Sequence, residues 1–289
     1  MRPNKKMTAI KGVKWGAVCT LALAALAPVA APAQTFSVSS PAAPVLPAAA
    51  VLGNNAPPAC SAPSAFAKFS YPLPHTARRL ASGDPLTIVA IGSSSTAGAG
   101  ASSPAANYPS RLAVELKQRF PAHDITVLNR GVNGQETPQM MARFATDVIA
   151  AHPDLVLWQV GTNSVLRDEP LKPHSALLHE GIVQLKDTGA DVVLINMQFA
   201  PRVLIKQEAE GMEDQIALAA KEASVDLFDR FAIMRNWHDV QHLPFEAFLA
   251  PDQLHMNDWS YACVAKLLAA AIGDAATRTV TAAAARPAR

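Results

Sequence analysis

Charge is scarce in this 289-residue chain: Asp, Glu, Lys and Arg make up 17% of it, and the formal net charge is +2. That balance excludes an acidic disordered chain and gives no electrostatic basis for gripping nucleic acid. Cysteine is scarcer, with Cys19, Cys60 and Cys263 allowing at most one bridge. Phosphate-binding signatures are missing. No G-x-x-x-x-G-K-[ST] occurs, and Gly98-Ala99-Gly100 does not continue into G-x-G-x-x-G. The nucleophile elbow G-x-S-x-G is missing as well, because Thr96 stands where its second glycine would be. No repeat is visible. The apolar run Trp15 to Ala27 is too short to span a bilayer comfortably. Hydrophobic residues reach 50%, a share inflated by alanine and, in the first third, accompanied by abundant proline. One globular domain is expected.

The first segment has the plan of a secretory signal. Arg2, Lys5, Lys6, Lys11 and Lys14 precede the apolar run, and Ala31-Pro32-Ala33 offers a small-residue cleavage site before Gln34. Residues 1–33 are expected to be removed on export, leaving a secreted or periplasmic protein without stable membrane insertion. An uncleaved signal anchor is the alternative. Residues 34–80 read as a Pro/Ala-rich tether and lead-in, with Tyr71-Pro72-Leu73-Pro74 holding the chain extended and Phe66, Phe69 and Tyr71 docking on the domain. Cys60 and Cys263 remain after cleavage. In an oxidising compartment they invite a disulfide tying the start of the mature domain to its last helix; two free thiols are the alternative.

The domain is expected over 81–275, with a disordered tail at 276–289. Leu86 to Ile91 is a β-branched apolar run that stops at Gly92-Ser93-Ser94-Ser95-Thr96. Further strands are expected at Ile125–Asn129, Asp154–Val160, Asp191–Met197 and Val225–Asp229. Helices are expected at Asn107–Phe120, Thr137–Ala150, Pro173–Thr188, Ile205–Ser224 and from Asn257 or Asp258 to Ile272, stopped by Gly273. This alternation implies parallel βαβ units with helices on both faces of a five-stranded sheet.

In such sheets the chemistry sits at the carboxyl ends of the strands. Ser94 is the candidate nucleophile. A serine hydroxyl needs a base, a group orienting that base, and donors for the oxyanion. Among eight histidines, His255 stands out because Asp252 lies three residues before it; His75, His123, His152, His174, His179, His238 and His242 have no such neighbourhood. The Gly131-to-Gly134 loop can offer a backbone N–H and Asn163 a side-chain amide, both after strands.

On these residues the chain resembles the SGNH/GDSL hydrolase family. Gly92-Ser93-Ser94-Ser95-Thr96-Ala97-Gly98 matches the first block, with the nucleophile at Ser94. Asn129 to Gly134 matches the second, with Gly134 as oxyanion donor. Gly161-Thr162-Asn163 matches the third, with Asn163 as donor, and Asp252-x-x-His255 matches the last. The resemblance covers about Leu86 to Gly273. It implies a three-layer α/β/α sandwich with strand order 2-1-3-4-5, a Ser94-His255-Asp252 triad, Ser94 N–H as a third oxyanion donor, and no metal or cofactor. The implied activity is hydrolysis of a small acyl ester, with acetyl groups on carbohydrate as one substrate class. A lipase or lysophospholipase, an acyltransferase, and a non-catalytic glycan-binding module are the alternatives. Ser93 and Ser164 stand where the family usually carries Asp. These serines either brace their loops by hydrogen bonding or leave a less negative site suited to acidic or carbohydrate-bound acyl groups. Trp237, Phe245 and Phe248 either line an acyl groove or pack as ordinary core.

Overall fold

The computed structural model describes residues 57–284, with side chains through residue 278. The expected signal at 1–33 and the tether through residue 56 lie outside the described residues. Five strands form one parallel sheet in the order β2-β1-β3-β4-β5. They are β1 Leu86–Gly92, β2 Ile125–Gly131, β3 Leu155–Gln159, β4 Asp191–Ile195 and β5 Asp226–Phe228. Every residue of β3 and β4 is buried, which is why these strands read as continuous apolar runs. The helices Pro74–Ser82, Tyr108–Arg119 and Asp258–Ala284 pack together, as do Leu171–Lys186 and Ala209–Glu222. With the sheet they make the expected three layers.

The register fixes where the loops emerge. Gly92 pairs with Gly131 on one side of β1, and Ile91 with Trp158 on the other. The turns after β1, β2 and β3 therefore leave the sheet side by side at one edge.

The amino edge is held by aspartates. Asp154 Oδ2 accepts from the Thr87 N–H at 2.9 Å and Oδ1 from Arg79 Nε at 2.8 Å. Asp191 accepts from the N–H of His75 and of Thr76 and from the Thr76 hydroxyl. Asp226 Oδ1 accepts from the N–H of Ser70 and Tyr71. Burial pushes the Asp191 and Asp226 carboxyls above the usual range, although these hydrogen bonds oppose it. The sequence reading keeps Tyr71 to Pro74 extended, but Pro74 opens a helix to Ser82. Proline suits the first helical position, and Asp191 satisfies the first-turn N–H groups from outside the helix. Phe69 is buried and Phe66 packs on the core, as expected of docking aromatics.

Cys60 and Cys263 are joined, with Cα atoms 5.4 Å apart. Beside the bridge, Trp237 Nε1 donates to Ser61 O and Trp259 Nε1 to Pro58 O, each at 2.9 Å.

Other expectations shift in detail. The helix expected over Thr137–Ala150 is three short pieces, Thr137–Met141, Phe144–Asp147 and a 3-10 turn Ile149–Ala151. Its cap is Glu136, in a capping box with Gln139, rather than Thr137. The helix expected from Ile205 begins at Ala209, after a separate turn Pro201–Leu204. The last helix does not stop at Gly273 but runs to Ala284, so the expected tail begins as helix. The atoms nearest a Cβ placed at Gly273 belong to the flexible end of the Arg119 side chain, so the helix passes through this glycine without demanding it. The segment before Asp252 holds helices at Arg230–Asp239 and Phe245–Phe248. Trp237 and Phe248 are fully buried and pack edge to face, so they are core and not groove.

Candidate active site

Ser94 opens the short helix Ser94–Ala97 directly after β1. The turn is clamped from neighbouring strands. Asn129 Nδ2, on β2, donates to Thr96 O at 2.8 Å. Gln159 Oε1, at the end of β3, accepts from Ser93 N at 2.9 Å and Ser93 Oγ at 3.0 Å. Gly131 must be glycine because a Cβ would lie 2.0 Å from Ala97 N.

The loop carrying Asp252 and His255 is closed by an antiparallel bridge between Leu249 and Met256 and by Ala250 N–H donating to His255 O at 2.8 Å. Asp252 Oδ1 accepts from the N–H of Leu254 and His255, at 3.0 and 2.9 Å. Its Oδ2 lies 2.5 Å from His255 Nδ1. His255 Nε2 lies 2.8 Å from Ser94 Oγ. An ionised carboxylate only accepts, so Nδ1 carries the proton facing Asp252, and Nε2 is left as acceptor for the Ser94 hydroxyl. Partial burial pushes the Asp252 carboxyl up, but the hydrogen bonds from the His255 ring and from the His255 and Leu254 backbone hold it below its ordinary range. The sequence separates Ser94 from His255 by 161 positions, and the fold joins them through one hydrogen bond.

Gly134 and Asn163 sit on the neighbouring loops. Gly134 has φ +76°, the left-handed region that favours glycine. Asn163, in the helix Thr162–Leu166 after β3, donates from Nδ2 to Gln135 O at 2.8 Å, which ties it to the Gly134 loop. Two arginines that the sequence reading missed brace this loop. Arg167 Nη2 donates to Gly134 O at 2.8 Å, and its Nη1 pairs with Glu136. Arg143 reaches Gln135 Oε1 at 2.6 Å, Asp147 at 2.7 Å and Gly92 O at 3.1 Å. Neither belongs to a sequence block that signals a site. The two serines that replace aspartate differ. Ser93 is hydrogen-bonded to Gln159, whereas the buried Ser164 Oγ has no hydrogen-bond partner among the described residues. Among the described residues no group of three or more His, Cys, Asp or Glu is arranged to hold a metal ion.

Residues 59–278 match the non-GDSL lipase-like family. The chain belongs to that family. The first block, Gly92-Ser93-Ser94-Ser95, departs from Gly-Asp-Ser-Leu at Ser93 and Ser95. An arylesterase of Vibrio mimicus is 34% identical over 95 residues, 33% of this chain and 46% of the relative. An acetylxylan esterase of Geobacillus stearothermophilus is 25% identical over 172 residues, 55% of this chain and 77% of the relative. A crystal structure of a two-domain esterase active on acetylated mannans superposes with a TM-score of 0.59 at 22% identity, covering 69% of this chain and 52% of that one. The acetylxylan esterase structure superposes with a TM-score of 0.56 at 21% identity, over 65% of this chain and 94% of that one. The chain thus spans about half the length of the arylesterase and of the two-domain esterase. The structural likenesses establish the shared fold.

Proposed function

We propose that this member of the non-GDSL lipase-like family is an exported serine esterase that removes small acyl groups, acetyl above all, from carbohydrate. The observation that carries the reading is the continuous chain Asp252–His255–Ser94, at 2.5 and 2.8 Å.

In the proposed reaction Ser94 Oγ attacks the ester carbonyl carbon while its proton passes to His255 Nε2. Asp252 stabilises the imidazolium through Nδ1–H. The carbonyl oxygen becomes an oxyanion held by Ser94 N–H, Gly134 N–H and the Asn163 amide. The carbon–oxygen bond to the sugar then breaks, and His255 gives its proton to the departing alkoxide. Water adds to the acyl-enzyme with His255 as base, and the carboxylic acid leaves as Ser94 recovers its proton.

Two observations support the choice of substrate and compartment. Relatives of the chain are named for acetylxylan and for acetylated mannans. The basic and apolar segment over 1–33, together with the Cys60–Cys263 bridge, suits an oxidising compartment outside the cytoplasm. Among the described residues no helix is long and apolar enough to cross a membrane.

A panel of acetylated xylo- and manno-oligosaccharides beside nitrophenyl esters of increasing chain length tests the reading. The expected result is acetate release from the sugars, a rate that falls as the acyl chain lengthens, and loss of turnover in Ser94→Ala. Preference for long acyl chains would replace it with a lipase reading. Undiminished turnover in Ser94→Ala would refute the mechanism.

A further inference from the structure

Beneath the site lies a guanidinium that makes no ion pair with a carboxylate among the described residues. Arg230, the first residue of the helix Arg230–Asp239 after β5, is 0% exposed, and so is Gln198 after β4. Arg230 Nη2 donates to Asn196 O at 2.6 Å and to Gln198 Oε1 at 3.1 Å. Gln198 Oε1 also accepts from Thr162 Oγ1 at 3.0 Å and, at a longer 3.4 Å, from Ser95 Oγ. One amide oxygen thus collects the arginine, the residue after Ser94 and the residue before Asn163. The remaining buried polar atoms of the pair, Arg230 Nε and Nη1 and Gln198 Nε2, have no hydrogen-bond partner among the described residues. All three are donors.

The groups facing this arginine do not cancel its charge. Burial pushes Tyr108, on the helix Tyr108–Arg119, up to about 12, and raises Tyr261, on the last helix, as well. Burial, with Asp229 alongside, pushes Glu213 up to about 8, and its carboxyl accepts from Asn196 Nδ2 and the Met197 N–H rather than from Arg230. Burial lowers Arg230 to about 10, which leaves it charged. Asp229 is engaged elsewhere. Its Oδ1 is taken by Asn196 Nδ2 and the Ala232 N–H, and it lines an outer cavity with Asp214 and Arg235. A buried charge without a counter-ion destabilises a fold. Glutamine at position 198, where glutamate would accept the same hydrogen bonds and neutralise the arginine, keeps the net positive field.

We propose that Arg230, acting through Gln198, is a positioning residue for the oxyanion site: it ties the Ser94 turn to the Asn163 helix and holds an unneutralised positive charge below the rim where negative charge develops. The inference rests on the esterase reading above. Gln198 is the switch that separates charge from shape, because Gln198→Glu keeps the acceptor and its three donors but cancels the field.

The test is steady-state hydrolysis of a nitrophenyl acetate by full-length Gln198→Glu, Arg230→Lys and Arg230→Met across pH. Gln198→Glu is expected to lower kcat about tenfold with KM little changed. Its acid limb in kcat/KM should move to higher pH, since less positive field favours the imidazolium of His255, whose charged neighbour is Asp252. A purely structural tie would leave that limb in place. Arg230→Lys should restore most of the rate lost in Arg230→Met. Wild-type kcat and an unmoved acid limb in Gln198→Glu would overturn this inference alone. If Gln198→Glu fails to fold, equal kcat in Arg230→Lys and Arg230→Met would overturn it. No ester hydrolysis by the unsubstituted protein would overturn the esterase reading, and this inference with it.

Discussion

Breaking the Cys60–Cys263 bridge should weaken the fold while leaving the site intact. The bridge spans a sequence separation of 203. For a closed loop of that length, the entropy removed from the unfolded chain corresponds to about 5 kcal/mol, and native bridges commonly contribute about 2–5 kcal/mol. In the folded state the bridged segment has other anchors, the Trp237 and Trp259 indoles and the carboxylates of Asp226 and Asp191. The loss therefore falls mainly on the balance with the unfolded state and not on native geometry. At the midpoint a domain of this size shifts by about 2–4 °C per kcal/mol, so a fall near 10 °C is expected. Differential scanning calorimetry of oxidised wild type, reduced wild type and Cys60→Ala/Cys263→Ala measures it. The last two should melt together, well below the first, with ester turnover at 25 °C unchanged. Melting within about 2 °C of the oxidised protein would refute the reasoning. It would mean that the segment around Cys60 is not coupled to the cooperative unit.

Three further outcomes follow from particular groups. Asp252→Asn keeps the shape of the loop but removes the acceptor that fixes the His255 tautomer, so kcat should fall about a thousandfold or more, read by steady-state kinetics. Asp191→Ala strands two backbone N–H groups and the buried Thr76 hydroxyl, and should lower stability by about 2–4 kcal/mol in urea denaturation without changing kcat. Glu213 holds its proton in the fold up to about 8, whereas the unfolded chain releases it near the ordinary carboxylate value. Wild type must then lose stability as pH rises between those two values, because the folded state binds more protons. Glu213→Gln lacks that loss, so its melting temperature relative to wild type should climb from pH 5 to pH 8; a constant difference would contradict the assignment.

The parts of this protein legible in its sequence are those written as local patterns. Strands one to four are apolar runs followed within a few residues by Gly, Ser or Asn, so their places along the chain and the loops carrying Ser94, Gly134 and Asn163 can be read directly, while the order 2-1-3-4-5 follows from the family resemblance. Asp252 and His255 announce themselves by spacing. Helix boundaries are less legible because side chains from elsewhere decide them. Asp191 satisfies the first turn of the helix at Pro74, and the last helix runs on through Gly273, which reads as a stop in the sequence. An aspartate at the start of each of the last three strands is a regularity that could have revealed the pinned amino edge. Arg143, Arg167, Gln198 and Arg230 carry no such mark. Each is a lone polar residue whose role exists only once distant strands meet, and nothing in its neighbours distinguishes it from surface. The bridge was open for the same reason, since a sequence holds no distance between Cys60 and Cys263.

The most direct test is labelling with a fluorophosphonate, followed by peptide mass spectrometry, on wild type, His255→Ala and heat-unfolded protein. A serine activated by an adjacent imidazole reacts where an ordinary hydroxyl does not. The prediction is one adduct, on Ser94, in folded wild type, slowed strongly in His255→Ala and absent after unfolding. A folded protein that takes no adduct at Ser94, or takes it equally fast without His255, would contradict the claim that these two residues form a working pair.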